Sequence, residues 1–262
     1  MRQLGFLASA LTLLLMAATD VSAQNCPGNP EAIGTSRVLS INPMKQRRIG
    51  TVQYPETLPL NDGEIVLTFD DGPIPPYSER VLDTLASECV KATFFILGES
   101  AKDSPDIVRR AYGDGHTIGT HTETHPHLAQ LSLDAAKEEI EMGIASTKEA
   151  LGDAGTVSPF FRAPYLEVTP PLNGYLSSKG LMLWGIDFQA EDWLNISPDE
   201  VVRRVLNRIQ QHKKGVLLLH DIQYTTAEAL PKLLRELKKR NIKIVHVVAE
   251  APPQATGTTG KR

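Results

Sequence analysis

The chain has 262 residues, enough for one large domain or two modest ones, and its 41% hydrophobic and 22% charged residues exclude a disordered or collagen-like polymer. A balance of 27 Lys+Arg against 31 Asp+Glu, net charge -4, disfavours a basic nucleic-acid binder. Two cysteines, Cys26 and Cys89, cannot build a multi-bridge scaffold or a four-thiolate zinc knuckle, so any metal site must draw on His and carboxylates.

Residues 1–23 carry a positive start at Arg2, an apolar stretch from Leu4 to Ala18 and the small-residue sequence Val21-Ser22-Ala23. This pattern predicts a secretory signal peptide cleaved after Ala23, because the apolar run falls short of the ~20 residues needed to span a bilayer. A secreted or periplasmic protein with no stable membrane insertion after cleavage is expected. In that oxidising setting Cys26 and Cys89 are expected to pair, tying the start of the mature chain to the domain. Residues 24–61 lack sustained periodicity and read as an irregular arm; residues 251–262, rich in Thr, Gly and Pro, read as a disordered tail.

Between them, short apolar runs suggest buried strands at Glu64–Phe69, Ala92–Leu97, His116–Gly119, Pro159–Arg162, Leu181–Ile186, Gly215–Leu219 and Ile242–Val248. Helical patterns intervene at Ser78–Ser87, Asp106–Tyr112, Ser132–Leu151, Pro198–His212 and Thr226–Arg240, with Ser132 and Ser197 as N-caps. About seven strands alternating with helices predict a parallel α/β fold in a single domain.

Ionisable residues follow these runs. Asp70-Asp71, His121, Arg162, Asp187 and His220-Asp221 each stand where a strand run ends, and in parallel α/β barrels the strand C-termini converge on the active-site face. Taken alone, Asp70-Asp71 before Gly72-Pro73 is turn chemistry. His121 and His125 form H-x-x-x-H, and four of the 7 histidines fall at positions 116 to 127, a clustering that suits a divalent metal completed by an oxygen ligand. His116 reads as a strand-start residue and His127 as a support behind the metal ligands or a contact to the substrate. No G-x-S-x-G elbow or phosphate-binding loop is present, and Glu123 is one place off H-E-x-x-H. Metal-assisted hydrolysis remains.

Thr68-Phe69-Asp70-Asp71-Gly72-Pro73, His121-Thr122-Glu123-Thr124-His125-Pro126, Arg162-Ala163-Pro164-Tyr165, Asp192-Trp193 and Leu218-Leu219-His220-Asp221 resemble, in order, the five motifs of the polysaccharide deacetylase family. The similarity covers about residues 62–250 and implies a distorted (β/α) barrel that acts on an N-acetylated glycan; a monomer is expected. It implies one divalent metal, zinc first and cobalt or manganese after it, held by Asp71, His121 and His125. It makes Asp70 the general base held by Arg162, and His220 the general acid. Asp192 would orient His220, although the stretched spacing from Asp187 to Trp193 leaves Asp187 and Glu191 as alternatives. Trp193 and Leu219 would wall the acetyl pocket, and the Tyr165 backbone N–H would stabilise the oxyanion. An O-acetyl esterase acting on xylan or another O-acetylated polysaccharide is the alternative, and a non-catalytic glycan-binding protein the third reading.

Overall fold

The computed structural model describes residues 26–250, so the expected signal peptide at 1–23 and tail at 251–262 lie outside the described residues. In chain order the elements are β1 (Thr35–Ile41), β2 (Arg48–Ile49), β3 (Glu64–Asp70), α1 (Tyr77–Ser87), β4 (Thr93–Ile96), α2 (Gly98–Asp103), α3 (Pro105–Gly113), β5 (Thr117–Thr120), α4 (Leu133–Leu151), β6 (Phe160–Phe161), α5 (Pro170–Ser178), β7 (Met182–Trp184), β8 (Phe188–Gln189), α6 (Pro198–His212), β9 (Gly215–His220), α7 (Tyr224–Lys239) and β10 (Lys243–Ala249). Every strand pairing is parallel. Each of the seven expected strands is present, and Ser132 and Ser197 cap α4 and α6 by accepting the backbone N–H of Ala135 and Glu200.

The pairings β3–β4–β5–β6–β7 and β3–β9–β8 form a seven-stranded barrel open at one seam, between β7 and β8. Only Gly185, Ile186 and Asp187 separate those two strands along the chain. The segment expected to be an irregular arm fills the seam: β2 pairs with β7, and the Val52 N–H donates to the Ile186 carbonyl at 3.0 Å. Gly50 makes this approach possible, since at its φ of +108° a Cβ would lie 2.3 Å from the Ile186 nitrogen. Asp187 accepts from the Thr51 N–H (2.9 Å) and hydroxyl (2.7 Å), the Val216 N–H (2.7 Å) and the Thr57 hydroxyl, joining arm to barrel.

The arm also supplies β1, which pairs with β10 along its length, while β10 joins the start of β3. The sheet therefore has ten strands rather than about seven. β1 escapes a reading by apolar runs because, at the sheet edge, it carries Ser36, Arg37 and Ser40 among its apolar residues and leaves Val38 exposed; β2 and β8 are two residues each. Helices α2 and α5 are further additions, the first only six residues long and the second opening on Pro170-Pro171.

Cys26 and Cys89 are bonded, S–S 2.04 Å, closing 63 residues between the start of the arm and the turn after α1. Replacing both by Ser is expected to cost ~4 kcal/mol in the chain-entropy account. Denaturant unfolding measures it, and an unchanged midpoint would contradict that account.

Alternation along the strands sorts the core into two layers. Ile65, Leu67, Phe69, Phe94, Ile96, Ile118, Leu217 and Leu219 face the helices, where they meet Val81, Leu85, Val205 and Leu234. Val66, Phe95, Phe160, Met182, Trp184 and Val216 pack within the barrel beside Ile49, Leu58 and Leu60 of the arm. Asp70, Arg162 and His220 share the inward parity, so each carries the interior column on to the C-terminal mouth. Among the described residues no helix is long and apolar enough to cross a membrane.

Candidate active site

A cavity of about 460 Å³ opens at that mouth, lined by Asp70, Asp71, His121, His125, Tyr165 and His220, with Ala163, Leu166, Gln189, Trp193, Leu218 and Gln223 around them. The strands deliver Asp70 and His220 directly. The residues after the strand ends arrive through left-handed backbone: φ is 74° at Asp71, 74° at Thr122, 62° at His125 and 55° at Tyr165. Such conformations cost on the order of 1 kcal/mol or more each and collect where function holds them.

Asp71 Oδ1 lies 3.4 Å from both His121 Nε2 and His125 Nε2. One donor atom from each of the three residues fits within 4.8 Å. His121 Nδ1 is 2.7 Å from the Arg162 carbonyl, which requires Nδ1 to donate and leaves the Nε2 lone pair aimed at Asp71. Burial lowers the His121 pKa to about 3, against the pull of Asp71, keeping that lone pair available. Asp71 Oδ1 is buried without a hydrogen-bond partner. An orphaned carboxylate oxygen between two imidazole nitrogens is a donor set that fits a divalent cation.

Arg162 is fully buried. Its Nη1 donates to Asp70 Oδ1 at 2.6 Å and to Thr68 Oγ1 at 2.9 Å, and its guanidinium lies 4.2 Å from the centre of the Phe95 ring. Burial raises the Asp70 pKa in spite of Arg162, so Asp70 is more basic than a free aspartate.

Across the cavity, His220 Nδ1 lies 2.8 Å from Asp192 Oδ1, while Asp192 Oδ2 accepts the His220 backbone N–H at 2.8 Å and the Thr226 hydroxyl. Burial works against a charged His220, but the Asp192 hydrogen bond and charge and the nearby Asp71 and Asp70 carboxylates outweigh it, raising the pKa to about 9. The His220 partner is thus Asp192. Asp187 is occupied at the barrel seam, and Glu191 pairs with Arg204 and Arg208.

Trp193 meets His220 edge-on at 5.4 Å between ring centres. Tyr165 packs against His125 at 4.7 Å and stacks on His127 at 3.6 Å. The N–H groups of Leu166 and Glu167 donate to the Ala163 and Pro164 carbonyls, whereas that of Tyr165 makes no hydrogen bond among the described residues. Leu219 is not in the cavity. It packs in the core cluster beneath the helices, and Leu218 forms the wall instead, because a strand residue two before His220 shares its face and the residue next to it cannot. Gln189 and Gln223 were not anticipated. Period-two counting from His220 would have found Leu218; Gln223 lies in a loop and offers no comparable signal. Asp221, buried and raised to about 7 by that burial, backs the Asp71 turn, where a Cβ on Gly72 would come within 2.2 Å of its Oδ2.

The sequence profile described as polysaccharide deacetylase matches residues 58–184. A peptidoglycan-N-acetylglucosamine deacetylase of Bacillus cereus is 34% identical over 194 residues, covering 71% of this chain and 68% of the relative. A chitooligosaccharide deacetylase of Rhizobium leguminosarum bv. trifolii is 35% identical, with 62% and 73% covered. The solved structure of a Bdellovibrio bacteriovorus peptidoglycan deacetylase superposes with a TM-score of 0.74 at 31% identity over 82% of this chain, which spans 59% of that one.

Proposed function

The chain belongs to the polysaccharide deacetylase family, hydrolases of N-acetyl groups, and from that premise we propose that it removes N-acetyl groups from an N-acetylglucosamine-containing glycan outside the cytoplasm. The observation that carries this reading is the placing of Asp70 and His220, each with its own buried partner, beside the Asp71, His121 and His125 cluster. Asp71, His121 and His125 would hold one divalent cation, and a site of two nitrogens and one oxygen suits zinc. When bound, the cation supplies Lewis-acid chemistry, polarising the acetyl carbonyl and acidifying water.

Asp70 takes the proton from the attacking water, with Arg162 fixing its carboxylate. The free Tyr165 N–H donates to the developing oxyanion, a contribution commonly worth ~3 kcal/mol in the transition state. The carbon–nitrogen bond then breaks, and His220 delivers its proton to the departing sugar nitrogen, so the products are acetate and an amine. An imidazole held largely protonated at neutral pH by Asp192 is suited to that donation. Trp193 and Leu218 are the walls against which the acetyl methyl rests.

Acetate and new primary amines, measured together after incubation with chitooligosaccharides, peptidoglycan and acetylated xylan, test this. Equal amounts of both from a glucosamine glycan are expected. Acetate from xylan alone would establish the O-acetyl esterase, and none from any substrate would leave the non-catalytic reading.

A further inference from the structure

The arm that lies in the barrel seam carries Lys45-Gln46-Arg47-Arg48, three cations in four residues of a chain whose net charge is -4. It precedes residue 58, where the match to the family profile begins. Lys45, Arg47, Arg48 and Tyr54 line a cavity of about 540 Å³ in which Glu56 is the one acid. A smaller adjoining cavity, about 190 Å³, shares Arg48 and Tyr54 and is completed by Val168, Thr169, Pro170 and Asn173. That second wall continues the segment whose Tyr165 and Leu166 line the active cavity, with Glu167 between. Because β2 runs parallel to β7, the chain leaving Arg48 and Ile49 heads for the active-site end of the barrel.

The positive charges here exceed the single Glu56 carboxylate. Arg37, elsewhere in the arm, is held by Glu64 at 2.7 Å, but among the described residues none of Lys45, Arg47 and Arg48 has a carboxylate partner. Arg47 donates to the Ser177 carbonyl at 2.8 Å, and Arg48 lies over the Tyr54 ring at 5.4 Å, Lys45 and Arg48 being exposed. Exposed cations beside an aromatic face, in a cavity whose neighbour is walled by the segment that follows Tyr165 and Leu166, match a ligand that presents sugar faces and carboxylates together. We infer that Lys45, Arg47, Arg48 and Tyr54 form a subsite for the carboxylate-bearing strand of peptidoglycan, flanking the sugar held in the active cavity. A neutral chitooligosaccharide offers this groove no counter-charge. The inference rests on the deacetylase reading for its orientation, and it names which N-acetylated glycan the chain prefers.

The test is fluorescence anisotropy of zinc-loaded protein with two labelled probes, a soluble peptidoglycan strand with its peptide carboxylates and chitohexaose, each at low and at physiological salt. The double variant Lys45→Ala, Arg48→Ala is expected to bind the strand roughly five- to tenfold more weakly and with a smaller salt dependence. Its affinity for chitohexaose should change by less than about twofold. Arg48→Glu should weaken strand binding further, and melting curves show whether either variant is folded. Unchanged strand affinity, or an equal loss for both probes, would overturn the subsite. Acetate release by the wild-type chain is scored separately: salt-dependent strand binding without acetate would refute the deacetylase and leave the subsite standing.

Discussion

Asp70→Asn is expected to reduce acetate release by about a thousandfold, within the 10²–10⁴ range that a positioned general base contributes. The amide has the size of the carboxylate and keeps an oxygen for Arg162, but it cannot take a proton from water. Arg162, fully buried, loses its counter-charge at the same time. Removing one partner of a buried ion pair costs ~3 kcal/mol or more, so the melting temperature should fall too. The cation site should survive, because Asp71, His121 and His125 are untouched. The variant should therefore hold one zinc per chain while turning over almost nothing, a combination that loss of fold alone does not produce. Activity within tenfold of wild type would place the base elsewhere.

Asp192→Asn is expected to lower the rate at neutral pH by about a hundredfold and to change its pH dependence. With the His220 pKa raised to about 9, the wild-type rate should hold through neutral pH and fall as His220 deprotonates near that value. Without the Asp192 charge the alkaline limb should move down towards the ordinary imidazole range. Stability follows the same sign. A histidine whose folded pKa exceeds its unfolded value of ~6.5 contributes fully below that value, and the contribution is lost as pH rises through the folded pKa. Wild-type melting temperature should consequently decline between about pH 6.5 and 9, and the variant should show less of that decline. An alkaline limb that does not move would remove His220 from the acid role.

The strands that build the barrel were legible because each is buried on both faces and reads as an apolar run, and the site was legible because Asp70, His121, Arg162 and His220 interrupt those runs at the same end. What escaped is what local pattern does not encode. β1 is an edge strand with polar residues, and β2 becomes a strand only by pairing with β7 at the seam. The stretched spacing left Asp187 and Glu191 as rivals to Asp192; the seam takes Asp187, α6 takes Glu191 through Arg204, and Asp192 reaches His220. Leu219 stood next to His220 but on the wrong face, which strand alternation decides. The basic groove was invisible for a different reason, since Arg48 and Tyr54 meet Val168–Asn173 only in the fold.

Metal-dependent N-deacetylation is tested by acetate release from a chitooligosaccharide and from peptidoglycan by the purified chain, measured before chelation, after it, and after zinc is added back. Release matched by amine formation, abolished by the chelator and restored by one zinc per chain, is the expected result. Release that is unaffected by complete chelation, or none from either glycan with zinc bound, would contradict it.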